Sequence, residues 1–192
     1  MSKKSDRTDD FVAGQTLARL ERLARLMRSA SQTQGLNAAQ WEALRYVSRA
    51  NSFSNSPSAL TRYLGATKGT TSQTLLSLIK KGAIAKVTRN DDGRSVVLEL
   101  TEAGQKILEG DPLLSLDKAI ADLGDKTSKR FAKGLGELLR AEVDRQGEPG
   151  FGNCNNCVHA SKNQAEVRCG ALNIDVRAGD AEKLCLYHKA KI

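Results

Sequence analysis

The stretch Gly65-Ala-Thr67-Lys-Gly-Thr-Thr-Ser-Gln-Thr74-Leu-Leu-Ser-Leu-Ile79-Lys-Lys-Gly82, followed by Ala85-Lys-Val-Thr-Arg89 and Ser95-Val-Val-Leu-Glu-Leu100, decides the fold. Its first part reads as a tight turn and then a helix capped by Thr67 and closed at Gly82, with Leu75, Leu78 and Ile79 facing a core. After Gly82 the period changes from helical to alternating, the mark of two strands. Asn90-Asp-Asp-Gly93 supplies the turn between them, so the pair reads as a β-hairpin. Threonine, serine and glycine all disfavour the helical state, so the start of this helix is weak by intrinsic preference. Its short hydroxyls and amide (Thr70, Thr71, Gln73, Thr74 and Ser77) instead suit the base edges and phosphates of a DNA major groove.

Working upstream, Pro57 follows Ser56 at a first helical position and opens a short helix to Leu64, with Leu60 and Leu64 inward. The polar turn 51–56 separates it from a helix capped by Asn37 and running from Ala38 to about Ala50, whose buried stripe is Trp41, Ala43, Leu44 and Val47. A longer helix is expected from Asp9 or Asp10 to about Ser31. Leu17, Leu20, Ala24 and Met27 form its seam, Leu23 and Leu26 widen it, and Arg19, Arg22, Arg25 and Arg28 take the other side. That seam is wide enough for both a core and a dimer partner. Residues 1–8 read as disordered.

Downstream, Thr101-Glu-Ala-Gly104 begins a helical stretch that Asp111-Pro112 interrupts. A last helix is expected from about Thr127 to Arg145, with Phe131, Leu135, Leu138, Leu139 and Val143 on one face, and Gly147-Glu-Pro-Gly150 reads as a linker. The predicted fold is mainly α with a small β-hairpin wing. A winged helix-turn-helix domain occupies 35–104, dimerisation helices lie at 9–34 and 105–146, and a cysteine-rich module fills 147–192.

The charge distribution agrees with a polyanion partner. The 192-residue chain carries a net charge of +8, and between Arg62 and Arg94 seven basic residues stand against two acidic ones, whereas from Asp111 to Gly150 seven basic residues meet eight acidic. Arg94 sits at the hairpin tip, where an arginine can enter a minor groove while Asp92 steadies it. Arg62, Lys68, Thr70, Thr71, Gln73, Thr74, Arg89 and Arg94 make up the candidate DNA-contacting set. No apolar run is long enough for a membrane span or a signal peptide, so a cytoplasmic location with reduced thiols is expected. Both histidines lie in the tail, and there is no nucleotide-binding glycine loop or Ser/His/Asp constellation. An enzyme or redox carrier on a helical scaffold is therefore the disfavoured alternative.

The run Leu36-Asn-Ala-Ala-Gln-Trp41-Glu-Ala-Leu-Arg, the segment Ile79-Lys-Lys-Gly82-Ala-Ile84, and Asp92-Gly-Arg94-Ser-Val-Val-Leu-Glu-Leu-Thr101-Glu-Ala-Gly104 resemble the MarR family of transcription regulators over about residues 10–146. That resemblance implies a homodimer with interlocked terminal helices, reading a pseudo-palindromic operator in double-stranded DNA, most simply as a repressor. It puts Thr70, Thr71, Gln73 and Thr74 on the recognition helix and Arg94 at the wing tip.

The tail lies outside that resemblance. All four cysteines are in it: Cys154, Cys157, Cys169 and Cys185, separated in turn by two, eleven and fifteen residues. Free cysteine usually sits in apolar cores. Four thiols confined to a polar tail point to one metal or cluster. A 4Fe–4S cluster held by Cys154, Cys157, Cys169 and Cys185 is the leading expectation, and the tail is similar to those of high-potential iron–sulfur proteins in having one close cysteine pair followed by two separated cysteines. A tetrahedral Zn site, including a Cys₃His set with His159 or His188, and a metal-free thiol switch are the other readings. Because the tail follows the last dimerisation helix, a change at the cysteines is expected to alter the relative angle of two DNA-reading heads.

Overall fold

The computed structural model describes residues 3–88, 96–163 and 166–191. Helices α1 (Lys3–Ala30), α2 (Ala38–Arg49), α3 (Pro57–Tyr63) and α4 (Lys68–Lys80) precede strands β1 (Ile84–Thr88) and β2 (Val96–Leu100). Helices α5 (Glu102–Glu109), α6 (Leu114–Ala121) and α7 (Asp125–Gln146) follow. The sequence places the start of α1 at Asp9 or Asp10; the helix begins at Lys3, within the polar segment 1–8. The other helix ends fall within a few residues of expectation.

Local chemistry accounts for the helix starts. Gln40 N–H donates to Asn37 Oδ1 at 2.9 Å and Asn37 N–H to Gln40 Oε1 at 3.0 Å, a reciprocal capping box on α2. Ser56 caps α3, with Pro57 at its first position, and Thr67 caps α4 by accepting from Thr70 N–H at 3.1 Å. Gly65, between α3 and α4, has φ 57°, a conformation that favours glycine, which is why the turn is so tight.

The core gathers the inner faces of α2, α3, α4 and the hairpin: Trp41, Leu44, Tyr46, Leu60, Leu75, Leu78, Ile84 and Leu98 are all buried. Gln40 Nε2 reaches Ser77 Oγ at 2.7 Å and ties α2 to α4. The strands pair antiparallel from Ile84 opposite Leu100 to Thr88 opposite Val96. The wing tip, including Arg89 and Arg94, lies outside the described residues.

Helix α7 buries none of its side chains, and Phe131, Leu135, Leu138 and Leu139 on it are exposed, as are Phe11, Val12, Leu17 and Leu26 on α1. The accessible surface is 13440 Å², against roughly 9,000 Å² for a compact chain of 20.8 kDa. Among the described residues, no helix is long and apolar enough to cross a membrane.

Beyond Gly147 the chain forms a module for which the sequence predicts no elements. A 3₁₀ turn (Cys154–Asn156) leads into β3 (Ala160–Asn163), β4 (Glu166–Cys169) and β5 (Ile174–Val176), an antiparallel sheet in that order, and then a single-turn helix α8 (Ala178–Ala181).

Candidate functional site

Helix α4 has two sharply different faces. Lys68, Thr70, Ser72, Gln73, Leu76 and Lys80 are exposed, and Arg62 on α3 and Lys86 on β1 are exposed as well. Thr71 and Thr74, predicted among the groove-reading hydroxyls, turn inward instead: they are 1% and 9% exposed and pack with Leu75 and Leu78. Thr74 Oγ1 donates to the Thr70 carbonyl at 3.1 Å, while Thr71 Oγ1 has no hydrogen-bond partner. With 3.6 residues per turn, positions 71, 74, 75 and 78 share one side and 69, 72, 73, 76 and 80 the other. Ser72 and Leu76 are the exposed positions that the sequence reading passes over. That period, applied strictly, would have found them.

The four cysteines are gathered in the C-terminal module, all of them buried and none in a disulfide. Cys154 and Cys157 flank the 3₁₀ turn, with Cys157 N–H directed at the Cys154 carbonyl at 3.4 Å. Ala160, opposite Cys169 in the sheet, donates its N–H to the Cys157 carbonyl at 3.2 Å. Cys185 pairs with Gly152, two residues before Cys154, its N–H donating to the Gly152 carbonyl at 2.7 Å. Val176, Ala181, Phe53, Val167, Leu172 and Ile174 surround Cys154 and Cys169. Burial pushes the Cys154 thiol up, and the neighbouring Cys185, Cys157 and Cys169 push it the same way. A buried set of this kind disfavours bare thiolates and accommodates them only with a strong cation. Among the described residues, no group of three or more Cys, His, Asp or Glu side chains is drawn together as a metal-ligand set.

The His188 ring is engaged by neighbours other than the cysteines. Its Nδ1 meets the Gly150 carbonyl at 2.5 Å and its Nε2 the Asn156 side-chain amide at 2.9 Å, which occupies both ring nitrogens. Its ring also lies against Gly152, where an added Cβ would come within 2.6 Å of it. His159 is half-buried, and its carbonyl accepts from Gly170 N–H at 2.8 Å.

The module docks on the winged helix through loop 50–56. Leu184 N–H donates to the Arg49 carbonyl at 2.8 Å, and Asn51 N–H to the Leu184 carbonyl at 2.9 Å. Leu186 N–H donates to Ser54 Oγ at 2.7 Å, and Ser52 Oγ to the Asp180 carboxylate at 2.8 Å. Phe151 meets Tyr63 and Tyr46 edge-on, with centroids 5.0 and 6.0 Å away, while Leu184 and Leu186 pack against the winged-helix core. Tyr46 donates to the Ser54 carbonyl at 2.6 Å, and its phenol is raised well above the ordinary value, first by burial and then by Tyr63 and Cys185. The position of Tyr46 in α2 lies outside the stripe predicted from sequence, and its partners are Tyr63 and Ser54 of the winged helix together with Phe151 of the tail.

Residues 34–95 match the model of the MarR family. No curated protein matches the chain by sequence. Among solved structures, the chain is similar to a MarR/EmrR family transcriptional regulator from Acinetobacter sp. ADP1, at 26% identity over 70% of this chain and 98% of that one, with a TM-score of 0.53. A MarR family protein from Bacillus stearothermophilus is similar at 17% identity over 72% and 97% of the two chains, TM-score 0.55. The S. aureus MepR–DNA complex is similar at 17% identity over 65% and 95%, TM-score 0.52. The family matched is one of transcription regulators, not of enzymes. Each of these solved chains is covered almost completely, while a quarter or more of the present chain has no counterpart in them.

Proposed function

We propose that the chain is a DNA-binding transcription regulator of the MarR type that works as a homodimer on a pseudo-palindromic operator, in the cytoplasm, and carries a metal centre on its C-terminal cysteines. The observation that carries the DNA-binding part is the exposed polar and basic side of α4 within a winged helix, flanked by Arg62 and Lys86. Lys68, Thr70, Gln73 and Arg62 are the contacts proposed for the major groove and its phosphates, with Arg89 and Arg94 from the wing. The fold similarity to a MepR–DNA complex supports the same reading. The apolar faces of α1 and α7, left exposed in a single chain, support a partner subunit that covers them. Operator occupancy by such a dimer blocks transcription, which makes repression the simplest outcome.

Cys154, Cys157, Cys169 and Cys185 are the residues proposed to hold a 4Fe–4S cluster. Four buried thiols in one small module, none in a disulfide, support that donor set, and Cys154 and Cys169 share an apolar shell. When bound, the group supplies an oxidation- or iron-dependent change in the charge and cohesion of the tail. The tight turn between Cys154 and Cys157 also suits a zinc knuckle, so a structural Zn site is the second reading.

Two measurements test the proposal. Duplexes selected from a random pool should bind with a steep salt dependence, losing roughly a thousandfold or more between about 50 and 200 mM salt. A flat salt profile would sink the DNA-binding reading. Protein purified without air should be brown, with a broad visible band that bleaches in air; colourless protein containing stoichiometric zinc would replace the cluster with zinc.

A further inference from the structure

The cysteine set and the DNA-reading head share a segment. Cys185 lies between Leu184 and Leu186, and both neighbours are bonded to the loop that leads from α2 into α3. That loop is a junction of three elements. On one side it holds the tail, through Arg49, Asn51, Ser52 and Ser54. On the second side Ser56 caps α3. On the third, the Asn55 carbonyl accepts from Leu98 N–H at 2.9 Å, which anchors the loop to strand β2 of the wing. Phe53, in the same loop, packs in the apolar shell around Cys154 and Cys169. The loop thus faces the thiols with Phe53, grips the strand around Cys185 with its backbone, and positions both α3 and the wing.

We infer that the state of the cysteine site is read by the winged helix of the same protomer, through Leu184-Cys185-Leu186 acting on loop 50–56, with no need for a change in the dimer helices. This rests on the reading that the four cysteines hold a metal centre and that the winged helix binds DNA. A ligand joining Cys185 to Cys154, Cys157 and Cys169 ties the 184–186 segment to the rest of its module and holds loop 50–56 in place. Loss of that ligand removes the crosslink, frees Leu184 and Leu186 to leave the loop, and lets α3 and β2 shift against each other. The contacts lie within one chain, so the dimer persists while its affinity for DNA falls. The sequence alone points elsewhere, to a signal passing through the last dimerisation helix. The docking of residues 180–186 on the loop is the observation that redirects it.

The test uses full-length protein isolated without air, the same protein stripped with chelator, and stripped protein reloaded with ferrous iron and sulfide. Metal content is measured by elemental analysis, subunit mass by light scattering, and affinity on a duplex selected by the loaded protein. Loaded wild type should bind about ten- to a hundredfold more tightly than stripped, at unchanged dimer mass. Ser52→Ala/Ser54→Ala, which removes the side-chain bonds to Asp180 and to Leu186 N–H while leaving the backbone pairing of Leu184 and all four cysteines intact, should keep its full metal content but clearly lower the loaded-to-stripped ratio. Asp180→Asn, a milder cut outside the winged helix, should lower the ratio part way and guards against a double variant that fails to fold. Full retention of the ratio in these variants overturns the route, as does loss of affinity only through dissociation of the dimer. Equal binding by loaded and stripped wild type overturns the coupling and leaves the metal reading standing. Absence of any bound metal removes the metal reading, and this inference with it.

Discussion

Leu184 of the C-terminal module lies alongside Ala50 at the end of α2 in a parallel backbone pairing, bonded on one side to Arg49 and on the other to Asn51. A chain segment 134 residues away in sequence thus finishes the helix that begins the helix-turn-helix. Leu184 adds its side chain to the same apolar core as Trp41 and Leu60. Leu184→Ala is expected to cost about 1–2 kcal/mol, below the usual range for a fully buried leucine because this one is only partly buried. Urea denaturation should show the loss as a lower midpoint. If the midpoint is unchanged, the module is not docked on the core in solution.

Thr71 and Thr70 are neighbours with opposite fates. Thr71 is 1% exposed, and its hydroxyl has no partner, whereas Thr70 is exposed and caps with Thr67. An unsatisfied buried hydroxyl is a desolvation cost, and an isosteric methyl removes it. Thr71→Val should therefore raise stability by up to about 1 kcal/mol and leave DNA affinity unchanged. Gln73→Ala, on the exposed side, should leave stability alone and weaken binding to a selected duplex by roughly tenfold, in line with the loss of one base contact. A large drop in DNA affinity for Thr71→Val would place that residue in the groove and contradict the burial seen here.

Much of the winged helix was legible because its signals are local. Asn37, Ser56, Thr67 and Thr101 each cap a helix where the sequence predicts one, and the change of period after Gly82 marks the wing. The inward turn of Thr71 and Thr74 follows from helical phase, which residue type does not reveal: at the start of a polar helix, a threonine methyl can face the core. Tyr46, Ser54 and Asn51 were not legible at all. Asn51 and Ser54 bond to Leu184 and Leu186, and Phe151 joins Tyr63 against Tyr46; the tail's share of those contacts is encoded by no periodicity within residues 35–104. The three-stranded sheet of the tail was hidden for a related reason: its strands are three or four residues long, too short for alternation to stand out.

Gly104 shows why the wing is followed by a glycine in the first turn of α5. A Cβ there would sit 2.1 Å from the Ala83 carbonyl oxygen and 3.0 Å from Leu100 Cδ2, both parts of the packed hairpin base. The obstacle is backbone, so it cannot swing aside as a long side chain would. Thr101 N–H also donates to that same Ala83 carbonyl at 3.2 Å, and the clash would break the bond. Gly104→Ala is expected to cost about 2–3 kcal/mol through overpacking, despite the better helix propensity of alanine. Thermal unfolding checks this; a stabilised variant would mean that α5 stands further from Ala83 than described.

The last prediction concerns how the winged helix is fastened to the connector after α5. Arg45 Nε and Nη2 donate to the two oxygens of Asp111 at 2.7 Å each, and only about a tenth of either side chain is exposed. Arg45 also lies 5.5 Å from the centroid of Trp41. Burial by itself would raise the Asp111 carboxyl, but the Arg45 fork and the Leu113 N–H outweigh it and hold the carboxyl below its ordinary value. A depressed carboxylate contributes stability that is complete above the unfolded-state pKa, and that contribution disappears as the pH falls through the folded-state value. The stabilising effect of the pair should therefore be constant at neutral pH and fade below about pH 4. Asp111→Asn keeps the shape, removes the charge and leaves Arg45 buried without a counter-ion. It should cost about 2–3 kcal/mol at neutral pH, with a difference from wild type that shrinks as the solution is acidified. Urea midpoints measured for both proteins between neutral pH and the acid limit of folding test this. A difference that stays constant through the carboxylate range would mean that the pair is not ionic, and that Asp111 holds the connector by its hydrogen bonds alone.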